Sequence, residues 1–257
     1  MVFDFGDDNG PVLAHRHQNP DGSLGGWVAD AAKVAGGVHV DPTAKVYQHA
    51  HILGDSEILE NATISGNALV GQSVVISGNA SVHQSAVING DARIYDDAMV
   101  CGHALVTDSV QVHGNALIGG YSEIRGEAKV LGHAIVTDKA HIKESATIED
   151  RAWVGNQASV SGKAHIFHFA KISDEACIRE NATICAKAQV KGQATIFGDA
   201  IIGDWTVVCG QAKIGGTAQL FLNEEKPIMG GTTLAGIQRA CSDNVAQLLQ
   251  LDTDIGL

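Results

Sequence analysis

Histidine and cysteine are the side chains in this sequence that could act as a base, a nucleophile or a metal ligand near neutral pH. The chain has 12 histidines and five cysteines in 257 residues. His168 lies between Phe167 and Phe169 and stands where the surrounding sequence usually has glycine. Because a positioned histidine is the commonest general base in enzymes, His168 is a weak catalytic candidate, and a merely tolerated substitution is the simpler interpretation.

The spacing of these residues predicts neither a metal site nor a disulfide framework. The cysteines are odd in number, contain no CxxC pair and are interpreted as reduced structural thiols; they are Cys101, Cys177, Cys185, Cys209 and Cys241. The run His15-Arg16-His17 has no third ligand at a matched spacing, so we interpret it as an exposed loop. We expect no metal and no cofactor.

A six-residue repeat must position whatever chemistry the chain has. Every sixth residue from Val28 to Leu220 is Val, Ile or Leu, and the residue two positions earlier is Ala in most copies. Copies such as Ala62-Thr63-Ile64-Ser65-Gly66-Asn67 show the full pattern, and no residue is inserted or deleted between Gly26 and Leu220. An unbroken period of this length indicates a solenoid.

The repeat predicts short parallel strands joined by tight corners. In Ala-x-Ile the two apolar residues are separated by one, so both point inward and the middle residue points outward. Gly, Asn and Asp follow, and these residues tolerate the left-handed backbone of a corner. Three sides need 18 residues, so residues 18 apart stack in columns, and the repeat makes about eleven coils spaced by about 4.8 Å.

The three parts of the chain are therefore an N-terminal cap over 1–25, a β-helix over 26–220, and a linker with a C-terminal helix over 221–257. Turn-forming residues are clustered before Gly26 and should cover the open end of the first coil. After Leu220, apolar residues recur at three and four positions from Leu234 to Leu248, which predicts a helix over about 232–251. It either covers the last coil or joins subunits.

The sequence resembles the hexapeptide-repeat left-handed β-helix proteins. Val160-Ser161-Gly162-Lys163-Ala164 has their spacing of an aliphatic residue and a small residue four positions later. The entry Gly25-Gly26-Trp27-Val28 and the Gly-Asn/Asp-Ala corners are most similar to the YdcK-like group, whose function is uncertain. The resemblance implies an all-β, single-stranded, left-handed parallel β-helix, but it says little about activity because this fold carries both enzymes and scaffolds.

Enzymes of this fold set specific requirements that the sequence can be compared with. The γ-type carbonic anhydrases use two histidines five positions apart, and no two histidines here have that spacing. Hexapeptide acyltransferases need a histidine base and loops that form a substrate cleft, whereas no loop interrupts residues 26–220. An acyltransferase using acyl-CoA, with His168 at a cleft between subunits, remains an alternative hypothesis.

Two sets of outward residues stand out when the sequence is arranged in columns of 18. One set is apolar, as expected of a contact between protein chains; it contains Met99, Leu117, Ile135 and Trp153 in one column and Leu69, Val87 and Leu105 on a neighbouring face. We interpret it as a seam between copies in a homotrimer or dimer, and simple strand propensity is the alternative.

The second set is a corner column in which cations and aromatic rings alternate at about one coil's rise. It contains Arg151, Phe169, Lys187 and Trp205, and Trp153, Phe167 and His168 lie beside it in the sequence. We expect any ligand or partner that binds a single chain to bind at this corner. The alternative is that these side chains only pack on one another to cover a wide corner.

Charge and hydropathy limit the partners. The formal net charge is −12, which disfavours nucleic acid and an anionic membrane as partners. No stretch approaches 18 apolar residues and the acidic start has no apolar signal segment, so we expect a cytoplasmic protein or one exported without a cleaved signal. The favoured hypothesis is a scaffold that binds its own copies or another protein; an acidic mimic of nucleic acid is a further alternative.

Overall fold

The structure, a computed structural model, describes residues 1–222, 227–229, 233–234 and 239–241. The chain divides into two compact units, which are described separately: unit 1 comprises residues 1–127 and unit 2 comprises residues 128–257. The described residues contain no helix. Both units are instead built from short β-strands, most of them two residues long, as the six-residue repeat predicts.

Unit 1 contains strands β1 (Val2–Phe3), β2 (Val12–Gln18), β3 (Leu24–Ala29), β4 (Lys33–Val34), β5 (His39–Val40), β6 (Lys45–Val46), β7 (His51–Ile52), β8 (Glu57–Ile58), β9 (Thr63–Ile64), β10 (Leu69–Val70), β11 (Val75–Ile76), β12 (Ser81–Val82), β13 (Val87–Ile88), β14 (Arg93–Ile94), β15 (Met99–Val100), β16 (Leu105–Val106), β17 (Gln111–Val112), β18 (Leu117–Ile118) and β19 (Glu123–Ile124).

Unit 2 contains strands β20 (Lys129–Val130), β21 (Ile135–Val136), β22 (His141–Ile142), β23 (Thr147–Ile148), β24 (Trp153–Val154), β25 (Ser159–Val160), β26 (His165–Ile166), β27 (Lys171–Ile172), β28 (Cys177–Ile178), β29 (Thr183–Ile184), β30 (Gln189–Val190), β31 (Thr195–Ile196), β32 (Ile201–Asp204), β33 (Val207–Val208), β34 (Lys213–Ile214), β35 (Gln219–Leu222), β36 (Thr233–Leu234) and β37 (Arg239–Cys241).

Every third strand pairs in parallel, which makes each unit a parallel β-solenoid with three sheets. In unit 1 the sheets follow β3-β6-β9-β12-β15-β18, β4-β7-β10-β13-β16-β19 and β5-β8-β11-β14-β17. In unit 2 they follow β20-β23-β26-β29-β32-β35-β37, β21-β24-β27-β30-β33 and β22-β25-β28-β31-β34-β36. The strands β3 to β35 amount to about eleven coils. The predicted left-handedness and the predicted division at 25 and 220 stay predictions.

The repeat places its small and aliphatic side chains in the core. Within each unit the aliphatic positions from Val40 to Leu220, and the Ala positions two residues earlier, have no exposed surface. Where serine or threonine replaces that Ala, its hydroxyl finds a backbone partner, as a buried polar group requires. Ser56 Oγ donates to Leu53 O at 2.9 Å and Ser122 Oγ to Gly119 O at 2.8 Å. Thr206 Oγ1 accepts from Leu222 N at 3.0 Å.

The corners use one left-handed residue in each six, at the position where glycine is commonest. Gly66 has φ +71°, and a Cβ atom there would lie 2.5 Å from the backbone nitrogen of Gln84 in the next coil. Several corners nevertheless carry an acidic or amide side chain at this position, such as Glu60 with φ 55° and Asp108 with φ 64°. Left-handed backbone costs roughly 1–2 kcal/mol for a residue with a Cβ, so these side chains need a compensating contact.

That contact is a hydrogen bond to the next coil. Glu60 Oε2 accepts from Gly78 N at 2.6 Å, and Asp108 Oδ2 accepts from Gly126 N at 2.9 Å. In unit 2, Asp174 Oδ2 accepts from Gly192 N in the same way at 2.9 Å. The side chain thus satisfies a corner N–H that the strand ladder leaves free, which explains why carboxylates replace glycine at these corners.

The N-terminal residues form antiparallel strands on the first coil. β1 pairs with β2, and β2 pairs with β3. The interpretation of His15-Arg16-His17 as an exposed loop is wrong, because these residues belong to β2 and His17 is only 7% exposed. Its Nε2 lies 2.9 Å from Val38 O in the first coil. Pairing with the edge of β3 extends the segment, and a register shift between Arg16 and Gln18 turns His17 to the buried side, opposite the exposed His15.

The prediction of a helix over 232–251 fails for the part of that range that the structure describes. Thr233–Leu234 and Arg239–Cys241 are strands, paired in parallel with β34 and β35 respectively. These strands take up backbone groups at the edge of the preceding coil, which an unpaired strand would leave without partners. The other residues of the predicted helix lie outside the described residues.

Candidate binding corner

Four successive coils of unit 2 pass through one corner that carries two side chains in each coil. We call it the 150–205 corner; it comprises Asp150, Arg151, His168, Phe169, Ala186, Lys187, Asp204 and Trp205. The first residue of each pair is left-handed, with φ of 60°, 57°, 56° and 54° in chain order. Backbone hydrogen bonds hold successive coils together at this corner: Arg151 N donates to His168 O, and Phe169 N donates to Ala186 O, both at 2.8 Å.

The second residues of these pairs are the cations and aromatic rings that the sequence predicts to be neighbours. Arg151 Cζ lies 5.7 Å from the centroid of the Phe169 ring. Lys187 Nζ lies 3.9 Å from the centroid of the Trp205 ring. Phe169 and Trp205 are 53% and 46% exposed. Both pairs have cation–π geometry, which contributes about 0.5–1 kcal/mol at an exposed site, and substantial aromatic surface remains available to a partner.

Side chains replace glycine four times in succession at the left-handed positions of this corner. His168 N donates to Asp150 Oδ2 at 3.0 Å, so that carboxylate supports the next coil as at other corners. Ala186 has φ 56° and no polar side chain that could offer such a bond. Its left-handed backbone costs roughly 1–2 kcal/mol. Strain of this kind is concentrated at functional sites, so the corner is a candidate for one.

Two shallow grooves lie on either side of the pair His168 and Phe169. One groove, of about 300 Å³, is lined by His168, Phe169, Ala186, Lys187, Asp204 and Trp205. The other, of about 390 Å³, is lined by Gly132, His133, Asp150, Arg151, His168 and Phe169. Each groove therefore combines a carboxylate, a cation and the exposed ring of Phe169. This combination can contact both charged and apolar groups of a partner.

Aromatic and charged side chains continue onto both flanks of the corner. On one flank, the rings of Phe167 and His165 stack with centroids 4.4 Å apart, and His165 Nε2 lies 2.5 Å from Glu149 Oε1. On the other flank, Lys171 Nζ lies 4.8 Å from the centroid of the Trp153 ring. Sequence reasoning missed Lys171, although it lies 18 residues after Trp153 and the column rule could have found it.

Among the described residues of the corner, no nucleophilic side chain is hydrogen-bonded to a general base. His168 Nε2 lies 4.0 Å from Asp150 Oδ2, which exceeds hydrogen-bonding distance, and both side chains are about half exposed. The nearest thiol in sequence is Cys185. Its partial burial, and to a lesser extent the carboxylate of Asp204, raise the pKa of the Cys185 thiol. The protonated thiol is a poor nucleophile.

The apolar residues of the predicted seam are neighbours within each unit. In unit 1, Leu69 pairs with Val87, Val87 pairs with Leu105, and Met99 pairs with Leu117. In unit 2, Ile135 pairs with Trp153. Met99 is 40% exposed and the others are partly buried. Their role as an oligomer seam stays a prediction.

Two further properties of the described residues bear on function. No group of three or more His, Cys, Asp or Glu side chains in the described part of the chain is placed to hold a metal ion. The same residues include no helix of the length and apolar character that crossing a membrane requires.

Comparison with known proteins finds a similarity to a described type of solenoid repeat. The family model described as YdcK Beta solenoid repeat matches residues 100–114. No curated protein matches the chain. The matched segment begins within β15 and ends after β17, so it covers about one coil of unit 1. The parallel coils of both units make the chain a β-solenoid repeat protein, and its matched coil is similar to the YdcK β-solenoid repeat.

Proposed function

We propose that this protein is an interaction scaffold whose β-solenoid coils hold side chains at fixed spacing for contact with a second copy of the chain. The observation that carries the proposal is the 150–205 corner, where two cation–aromatic pairs are stacked and still half exposed. Exposed aromatic rings beside cations are typical of the residues that dominate binding energy at protein interfaces. The main-chain bonds between coils fix the backbone that carries these side chains before a partner arrives, which lowers the entropy cost of binding.

Charge supports a second copy as the partner. Acidic residues outnumber basic residues by 29 to 17 in the whole chain. Arg151, Lys171 and Lys187 place three cations in this part of an acidic protein, beside the carboxylates of Asp150 and Asp204. A second copy presents carboxylates on other surfaces, and pairing of opposite charges orients the encounter and disfavours wrong orientations. The predicted seam, exemplified by Leu69, Val87 and Leu105, offers apolar surface for the same association.

The test is the mass of the protein in solution, measured by light scattering after size-exclusion chromatography. We expect a dimer or trimer of the 26.8 kDa chain. Replacing both Phe169 and Trp205 by aspartate removes the two exposed rings and adds repulsive charge, so we expect the double variant to be a monomer. Tyr121 in unit 1 is also an exposed aromatic corner residue, at 61%. Tyr121→Asp is the matched control and should leave the mass unchanged.

The same experiment contains the results that would contradict the proposal. A wild-type chain that is monomeric at every concentration tested does not associate with itself. An oligomer whose mass is unaffected by the Phe169→Asp/Trp205→Asp double variant associates without the corner. Both rings are exposed, so their loss should leave the core unchanged. Circular dichroism of the variants checks that the coils are intact.

A further inference from the structure

A cavity in unit 1 is unrelated to the 150–205 corner and has the properties of a small-molecule site. Its volume is about 800 Å³, and it opens between the N-terminal strands and one corner of the first coils. Its lining includes Phe5, Asp7, Leu13, Asp30, Tyr47 and His49. Ligand cavities in proteins typically have volumes of about 300–1,000 Å³, so this one can take a small molecule.

The floor of the cavity is aromatic and fixed. Phe5 is 5% exposed and stacks on Tyr47 with centroids 4.8 Å apart and planes 20° apart. Phe5 also packs with Ala14 and Ala29 in the small apolar cluster beneath the N-terminal strands. This cluster holds the two rings in place without a ligand. A ligand with a flat or aliphatic body can therefore bind against preformed apolar surface.

Apolar side chains on the wall face water in the structure. Val12 and Leu13 are 39% and 63% exposed and both line the cavity. They follow the acidic loop of residues 4–10 and belong to β2, where pairing with β1 fixes their position. Covering such side chains with an apolar ligand removes their surface from water, which favours binding.

The charged groups at the cavity are carboxylates. Asp7 accepts hydrogen bonds from Asn9 Nδ2 at 2.9 Å and from Gln48 Nε2 at 3.1 Å. Both bonds lower the pKa of the Asp7 carboxyl group, and the bond from Asn9 has the larger effect. Asp30 Oδ1 lies 2.8 Å from His15 Nδ1. His49 is the titratable base on the wall, and none of the described residues lining the cavity is lysine or arginine.

We propose that this cavity binds a small amphipathic amine. Its apolar body lies on the ring of Tyr47, which Phe5 supports from beneath, and against Val12 and Leu13. Its ammonium group lies close to the carboxylates of Asp7 and Asp30. The lining carries Asp7 and Asp30 and no lysine or arginine, which favours a cation over an anion such as a fatty acid. The volume lies in the range of small-molecule sites.

Matched probes test the charge preference directly. Phenylbutylamine and phenylbutyrate have the same apolar body and opposite charge, so isothermal titration of the full chain with each probe at low ionic strength isolates the charge term. We expect the amine to bind at least about tenfold more tightly than the acid, as two nearby carboxylates should produce near a protein surface. Equal affinities, or no heat from the amine up to its solubility limit, would overturn the proposal.

Variants place the binding in the cavity. Ala31 lines the cavity and its side chain is exposed, so Ala31→Trp fills the space without entering the core, and we expect it to abolish amine binding. Asp7→Asn should lower the affinity for the amine by about fivefold. Asp91 is an exposed residue elsewhere in unit 1, so Asp91→Asn should leave the affinity for the amine unchanged. Undiminished binding to Ala31→Trp would overturn the proposal. So would light scattering showing that Ala31→Trp dissociates a dimer, because the occupant would then be a second copy.

Discussion

Asn19 is predicted to contribute more stability than any surface asparagine, because its side chain takes the place of a missing strand. It is 4% exposed and lies beside Val40, a fully buried residue of the first coil. Val40 N donates to Asn19 Oδ1 at 2.9 Å, and Asn19 Nδ2 donates to Val40 O at 3.3 Å. The amide group thus satisfies both backbone groups that would otherwise be unpaired at the edge of β5.

Asn19→Ala removes both partners and leaves the donor and the acceptor of Val40 buried. An unsatisfied buried polar group costs about 1–3 kcal/mol. The longer bond to Val40 O contributes the smaller part, so we expect the first coil to lose about 2–4 kcal/mol of stability. Asn9→Ala is the matched control. Asn9 is exposed and bonds through Nδ2 to Asp7, so its loss should change stability by less than about 0.5 kcal/mol.

Native-state hydrogen exchange is the appropriate assay, because coils of a solenoid are stabilised mainly by their neighbours and can open locally. In Asn19→Ala the amide of Val40 should exchange faster by a factor of about 30 or more, which corresponds to 2 kcal/mol or more. Amides of later coils in unit 1 should change little. If the Val40 amide exchanges at the wild-type rate, the side chain of Asn19 does not act as the strand's partner and the reasoning is refuted.

Three further predictions follow from corners, faces and thiols. Gly162→Ala should lower the free energy of unfolding by at least about 2 kcal/mol in a denaturant titration, because the new Cβ would lie 2.6 Å from the backbone of the next coil at φ +74°. Gly36 has open space around it, so Gly36→Ala should lower that free energy by less than about 0.5 kcal/mol in the same titration. Leu117→Asp combined with Ile135→Asp should lower the oligomer mass in light scattering; an unchanged mass would exclude the predicted seam. Because the pKa of Cys185 is raised, its alkylation by iodoacetamide, followed by peptide mass spectrometry, should become rapid only above pH 9, and rapid reaction at pH 7 would contradict the raised pKa.

The regular part of the fold could be predicted from the sequence because the same physical requirement recurs at every sixth residue. Each Ala and each aliphatic residue must point into a narrow core, and from Val40 to Leu220 both positions are buried. The column rule also placed Arg151 next to Phe169 and Lys187 next to Trp205, and both contacts are present. These predictions depend only on the six-residue period and on which side chains point inward or outward, and both can be read from the sequence.

The irregular parts could not be predicted in the same way. His17 is buried at a register shift in the antiparallel pairing of β2 with β3, and nothing in the spacing of residues 1–25 specifies that pairing or its irregularity. The cavity beside Phe5 and Tyr47 depends on the same pairing. The described strands Thr233–Leu234 and Arg239–Cys241 also depend on the edge of the preceding coil rather than on their own helical pattern. Tertiary pairing overrode local propensity in each case.

The most direct test of the scaffold proposal is to find which chain Lys187 contacts. An equal mixture of isotope-labelled and unlabelled chains, treated with a carbodiimide that joins amines to carboxylates in contact, is digested and analysed by mass spectrometry. The proposal predicts cross-linked peptides that join Lys187 of one copy to an acidic residue of the other isotope. Cross-links from Lys187 only within chains of the same isotope, in a sample that light scattering shows to be monomeric, would contradict it.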